Sequence, residues 1–224
     1  MVESVLIVGA GSGLSASLAR LCASKEMKVV LAARNIEKLK DLKKEISAET
    51  IKCDAANIKS VTDLFKRTDK IIGTPNLVIY NPSKRLSGSI IDLDPKKAYE
   101  AINITCYGGF LVAQQAAKRM LKKKRGSIFF TGATASVKGF AKSSVFAMGK
   151  FGLRGLAQSL ARELHPQNIH IGHFIIDGGI GHEDYGSYKT IHPDSIAKTY
   201  LEFHNQDKSA WSWETELRTS VEKF

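Results

Sequence analysis

Six short apolar runs, separated by segments of helical periodicity, constrain this chain more than any other feature. SVLIVG (4–9), MKVVLAA (27–33), ETIKCD (49–54), NLVIYN (76–81), GSIFFTG (126–132) and IHIGHFII (169–176) read as strands. Between them stand SGLSASLARLCASK (12–25), with Leu14, Leu18 and Leu21 on one face, and NIEKLKDLKKEIS (35–47) behind an Asn35 cap. IKSVTDLFKRT (58–68), a long helix over 95–123 with Gly108-Gly109 as its weak point, and a second over 143–165 closed by Pro166 complete the pattern. The strand runs are apolar throughout rather than alternating, as in strands covered on both faces. The pattern predicts an α/β fold, a doubly wound parallel sheet of six to seven strands with helices on both faces. No linker, repeat or low-complexity tract divides the chain, so one domain over 1–224 is expected. After a short helix near 194–204, residues 207–224 predict a late edge strand and tail. Trp211 and Trp213 there either seal the sheet edge or meet a neighbouring subunit.

Composition narrows the function classes. Of 224 residues, 43% are hydrophobic and 25% charged, a balance typical of water-soluble globular chains. No apolar run approaches the ~18 residues of a membrane span. The net charge of +11 raises the question of an anionic partner. The lysines, however, spread over helix faces such as KLKDLKKE (38–45) and KRMLKKKR (118–125), without interleaved aromatics, which argues against nucleic acid. Cys22, Cys53 and Cys106 are odd in number and lack ligand spacing, so they read as small buried hydrophobes in a reducing compartment, with no metal site. MVESVLIVGAGSG carries an acidic residue where a signal peptide carries basic ones, and cytoplasmic residence is expected.

VGAGSGLS (8–15) links the first strand to the first helix, and this context gives its glycines a mechanism. Gly9 and Gly11 permit a tight turn, and Gly13 lets a ligand approach the helix N-terminus. Exposed N–H groups there suit a pyrophosphate. The second strand ends in Ala32, Ala33, Arg34 and Asn35. A carboxylate at that point would bind a ribose diol; the guanidinium of Arg34 suits a 2′-phosphate instead. NADP(H) is therefore favoured over NAD(H), which stays possible.

At this point the chain resembles the short-chain dehydrogenase/reductase family over nearly its whole length. GAGSGLS (9–15) is similar to that family's G-x-x-x-G-x-G turn, with Ser15 for the last glycine, and so implies cofactor contacts by Gly9, Gly11, Ser12, Gly13 and Leu14. CDAAN (53–57) resembles the adenine-contacting segment, implying roles for Asp54 and Ala55. YNPS (80–83) stands for N-N-A-G, with Asn81 matching. Asn103 in AINIT matches the asparagine of the proton relay. DGG (177–179) stands for the Pro-Gly bordering the nicotinamide, which puts Gly178 there. The family's Tyr-x-x-x-Lys reads Phe146-Ala-Met-Gly-Lys150, and the serine 13 residues before it falls on Ala133. FTGATAS…F-x-x-x-K resembles an atypical bacterial subgroup with Phe in place of the tyrosine.

In the family, the phenol gives a proton to a carbonyl oxygen while a nicotinamide hydride adds to carbon. Lysine lowers the phenol's pKa and binds the ribose, and the serine steadies the oxygen. Phe146 and Ala133 can do neither. Thr131 and Thr134 flank Ala133, and Thr134 is a possible substitute donor. Ser143 and Ser144 precede Phe146 and suit helix capping. The stretch 178–193, expected to overhang the substrate, offers His182, Tyr185, Tyr188 and His192. Two functions compete: an NADP(H)-dependent oxidoreductase acting on a small carbonyl or alcohol with a non-standard proton donor, and a catalytically degenerate nucleotide-binding sensor or scaffold. The resemblance also implies a homodimer or homotetramer through the helices at 95–123 and 143–165. Gly149, Gly152 and Gly155, three apart, would allow close helix approach.

Overall fold

The computed structural model describes residues 2–181 and 190–221. Strands β1 (Ser4–Val8), β2 (Lys28–Ala33), β3 (Glu49–Lys52), β4 (Leu77–Tyr80), β5 (Ser127–Thr131), β6 (His170–Asp177) and β7 (Glu214–Arg218) form one sheet in the order β3-β2-β1-β4-β5-β6-β7. Every pairing is parallel. β1 sits between β2 and β4, with Val8 opposite both Ala32 and Tyr80. There the strand order reverses, and parallel sheets open a crevice at such a point, beyond the strands' C-terminal ends.

Strand periodicity sends alternate side chains to opposite faces. Leu6, Val8, Val78, Tyr80, Ile128 and Phe130 face a core closed by α3 (Ile58–Ile72), α5 (Gly108–Lys123) and α6 (Ser144–Leu164). Val5, Ile7, Leu77, Ile79 and Phe129 face the other core, closed by α1 (Leu14–Ser24), α2 (Lys40–Glu45) and α7 (Pro193–His204). The apolar runs thus feed two cores at once, as their lack of alternation predicts. The expected late edge strand is present, with Glu214–Arg218 beside β6 in parallel. Trp213 packs against the α6-side core.

Three local expectations are corrected. The segment 35–47 is a short 3-10 turn (Glu37–Leu39) running into α2, a shorter helix than its lysine-rich pattern suggests. β3 ends at Lys52, so Asp54 lies beyond the strand, where Asn57 caps α3 through the Ser60 amide. The long helix over 95–123 does not yield at its glycines. It runs as α4 (Pro95–Ile102), a π-helical turn (Asn103–Tyr107) and then α5, which begins at Gly108.

The glycines instead permit close packing. A Cβ at Gly108 would meet the Tyr80 hydroxyl and, at 2.8 Å, the Ala55 carbonyl. The Tyr80 hydroxyl donates to the Ile104 carbonyl inside the π turn. On α6, Gly149 and Gly152 receive Thr105 and Cys106 of the same turn, whereas Gly155 faces open space. The close approach expected of that glycine series is thus made within the chain at two of its three positions.

Candidate active site

Three hollows follow one another along the C-terminal edge of the sheet. The first, about 370 Å³, is lined by Arg34, Lys38, Asp54, Ala55 and Asn81. The second, about 500 Å³, shares Gly9, Asn81 and Ser83 with it and adds Gly11, Gly13, Leu14, Lys150 and Gly178. The third, about 580 Å³, shares Arg85, Ala133, Phe146 and Gly178 with the second and extends to Thr134, Lys138 and Arg218.

The glycine turn forms the wall between the first two. Gly9 adopts φ +82°, and a Cβ there would meet Pro82 at 2.7 Å. Its amide and that of Ala10 both donate to the Ala32 carbonyl, which folds the turn back on β2. A Cβ at Gly11 or Gly13 would meet nothing within 4 Å, so bare backbone borders the open hollow. α1 starts behind Gly13 with no side-chain cap and no acidic residue in its first turn. Its leading amides have no partner within the helix, a ready anion cradle. Ser15, buried, donates to the Gly9 carbonyl (3.2 Å) and accepts from Asn81 Nδ2 (2.7 Å). The hydroxyl that replaces the last glycine therefore ties the turn to the end of β4. Ser12 stands exposed in the same turn.

At the first hollow, Arg34 and Lys38 are exposed. Asp54 accepts from the Ala56 amide at 3.0 Å, and its own amide donates to Ser60 Oγ. Two cations and one carboxylate thus line this hollow.

Lys150 and Phe146 lie one turn apart on α6, as their spacing predicts. Lys150 is only 3% exposed, and its Nζ donates to the Thr131 carbonyl at 2.6 Å. Burial first, and the nearby charge of Arg85 second, push its pKa down to about 7. The Arg85 guanidinium lies 4.8 Å from the centre of the Phe146 ring, and Lys150 Nζ lies 5.9 Å from it. Asn103 is half-buried at the first position of the π turn.

Ala133 brings no hydroxyl, but a buried network holds its backbone. Its amide donates to Ser136 Oγ (3.1 Å), which stands 3.4 Å from His173 Nε2. His173 Nδ1 meets Glu214 at 2.9 Å, and Arg154 grips the same carboxylate with two bonds of 2.6 and 2.8 Å. Burial pushes the His173 pKa down to about 4, so the ring is neutral at pH 7. Nδ1–H then donates to Glu214, and Nε2 faces the Ser136 hydroxyl as acceptor. Strand β7, read from sequence as an edge, reaches the site wall through this network.

Thr134, Thr131 and His192 are each engaged in a hydrogen bond. Thr134 Oγ1 donates to Asp177 Oδ1 at 2.5 Å, and Arg218 meets the other carboxylate oxygen at 2.8 Å. Thr131 Oγ1 accepts from the Tyr200 hydroxyl. His192 caps α7 by accepting from the Asp194 amide. Ser143 precedes α6 without a side-chain cap bond, and Ser144 is exposed. His182, Tyr185 and Tyr188 lie outside the described residues. Among the described residues no cluster of His, Cys, Asp or Glu could hold a metal, and no helix is long and apolar enough to cross a membrane.

Sequence reasoning missed Arg85, Lys38 and the Glu214–His173–Ser136 network. A signal for Arg85 existed: it stands four residues past Asn81, in the loop where a parallel sheet's switch point places ligand contacts.

Known proteins resemble this chain in sequence and fold. An oxidoreductase of Staphylococcus aureus (strain USA300), itself uncharacterized, is 28% identical over 214 residues, 91% of each chain. A short-chain dehydrogenase from Rhodopseudomonas palustris superposes with a TM-score of 0.86 at 34% identity, covering 96% of this chain and 98% of that one. A metagenomic short-chain oxidoreductase solved in complex with NADP gives the same TM-score at 23% identity, covering 98% of both, a likeness of fold. The short chain dehydrogenase family model matches residues 3–180. This chain therefore belongs to the short-chain dehydrogenase family.

Proposed function

We propose that this chain is an NADP(H)-dependent oxidoreductase acting on a carbonyl or alcohol, in which Lys150 replaces the missing phenol as proton donor. The observation that carries the reading is the buried Lys150 amine. It lines the same hollow as the glycine turn and Gly178, and its pKa lies near 7. An acid–base group is most effective when its pKa lies near the working pH. The Thr134 proton is committed to Asp177, which leaves Lys150 the better donor. A bound nicotinamide supplies or takes up the hydride. The bare amides at Gly11–Leu14 would hold the pyrophosphate, Asp54 and Ala55 the adenine, and Asn81 and Lys150 the ribose hydroxyls. The Ala133 amide is turned away into Ser136, so the substrate oxygen depends on Lys150 and Arg85 for positive charge.

Arg34, with Lys38, is assigned to the 2′-phosphate. A hydrogen bond to a charged group contributes about 1.5–3 kcal/mol, which converts to roughly 10–100-fold in affinity. Arg34→Ala should weaken NADPH by that factor and spare NADH, as read by nucleotide fluorescence titration. Equal binding of the two nucleotides by the unmodified protein would remove the assignment.

One observation supports a second reading. The Phe146 ring and the Ala133 methyl occupy both hydroxyl positions, as in a nucleotide-binding sensor that has lost its chemistry. NADPH consumption against a panel of carbonyl compounds separates the two, because the oxidoreductase turns over at least one of them and the sensor none, despite binding NADPH. Self-association through the helices at 95–123 and 143–165 is part of the proposal. It is supported by the exposed Tyr99, Phe110, Met148 and Phe151. Light scattering should give a dimer or tetramer; a monomer at tens of micromolar, on the order of cellular enzyme levels, would contradict it.

A further inference from the structure

We propose that Arg85 anchors a carboxylate of the substrate, and that the substrates are short oxo acids, or the matching hydroxy acids, whose carboxylate lies beside the reacting carbonyl. This rests on the oxidoreductase reading above and specifies its substrate class. Arg85 lines both the Lys150 hollow and the outer cavity of about 580 Å³, so it stands at the passage between them. Its guanidinium lies over the Phe146 ring and meets no carboxylate among the described residues. Lys138, on the same cavity, likewise faces a ring, that of Phe140 at 5.5 Å.

The two carboxylates that line the cavity among the described residues, Asp177 and Glu216, are already committed. Asp177 accepts from Thr134 and pairs with Arg218, and Glu216 pairs with the same arginine. Among the described residues, the charge left to face a ligand is therefore positive. A phenyl face attracts a cation but leaves the guanidinium's N–H edge open. That edge presents a planar fork that matches a carboxylate with two parallel hydrogen bonds. Because Arg85 and Lys150 both lie against the Phe146 ring and line one hollow, an anion held by Arg85 shares that hollow with an oxygen held by Lys150.

The test reads binding without turnover. The protein is saturated with NADP⁺, which cannot deliver hydride, and acetoacetate is titrated in by calorimetry beside its neutral isostere acetoacetamide. The pair 2-oxobutanoate and 2-oxobutanamide covers the shorter spacing. At least one acid should bind tenfold or more tightly than its isostere, and Arg85→Met, at an exposed position that leaves the core intact, should close the gap. Arg85→Lys should keep part of it. Equal affinities for acid and amide, binding of none of the four, or a preference that survives in R85M would overturn the assignment while NADP⁺ binding stands. A chain that binds no NADP⁺ overturns the oxidoreductase reading and this assignment with it.

Discussion

Replacing Lys150 by methionine is expected to remove turnover and, at neutral pH, to raise the melting temperature. Loss of a positioned acid–base group lowers kcat by about 10²–10⁴. The unmodified enzyme should report the same group in its pH profile. Carbonyl reduction needs the protonated amine, so its kcat falls as pH rises through about 7; alcohol oxidation needs the neutral amine and falls as pH drops through it. The stability effect follows from linkage. The unfolded chain keeps this proton up to the ordinary value of 10.5, the folded chain only to about 7. Between those values the unfolded state binds more protons, so stability rises with pH, and below 7 the whole cost of the buried charge is present. That cost is on the order of 3–5 kcal/mol. Methionine keeps much of the stem's apolar volume and loses about 1 kcal/mol with the Thr131 hydrogen bond. K150M should therefore melt several degrees higher at pH 6–7, with the difference shrinking as pH rises and reversing to about 1 kcal/mol in favour of lysine by pH 10.5, by circular dichroism. A lower melting temperature at pH 7 would contradict the buried-amine picture.

Gly108→Ala is expected to be among the most damaging single-methyl changes in the molecule. The added Cβ would fall on the Tyr80 hydroxyl and the Ala55 backbone, and backbone cannot swing aside as a flexible side chain can. Overpacking of this kind costs about 1–3 kcal/mol. Displacing Tyr80, which is fully buried, would also break its bond to the Ile104 carbonyl, worth about 1 kcal/mol more. At roughly 2–4 °C per kcal/mol for a chain of this length, the melting temperature should fall by about 5–15 °C. The same displacement disturbs the π turn that carries Asn103, so kcat should fall with stability. Gly155→Ala, which meets open space on α6, is the control and should be neutral or mildly stabilising.

Much of this was legible in the sequence, for identifiable reasons. The strand runs report burial on both faces directly, and the order of strands and helices leaves little choice of topology. VGAGSGLS announces its role because a positive φ and bare amides demand glycine at particular places. What stayed hidden depends on contacts between distant segments. The π turn at 103–107 leaves no mark in helical periodicity; it is set by Tyr80 reaching Ile104, 24 residues away. Glu214 read as an edge-strand residue because nothing local ties it to His173, 41 residues back, or to Arg154, 60 residues back. Lys150 could be placed on α6 from its spacing with Phe146, but its burial, and hence its proton affinity, could not. Thr134 looked like a free hydroxyl until Asp177, 43 residues on, took its proton.

The central claim is that the α6 lysine has itself become the titrating group of the site, and it can be measured without knowing the substrate. Protein labelled with ¹³Cε-lysine is titrated by NMR from pH 5 to about 10.5, the ordinary lysine value. K150M assigns the Lys150 resonance by its absence. The account predicts one lysine with a midpoint near pH 7. A Lys150 midpoint at about 10, among the ordinary lysines, would contradict it.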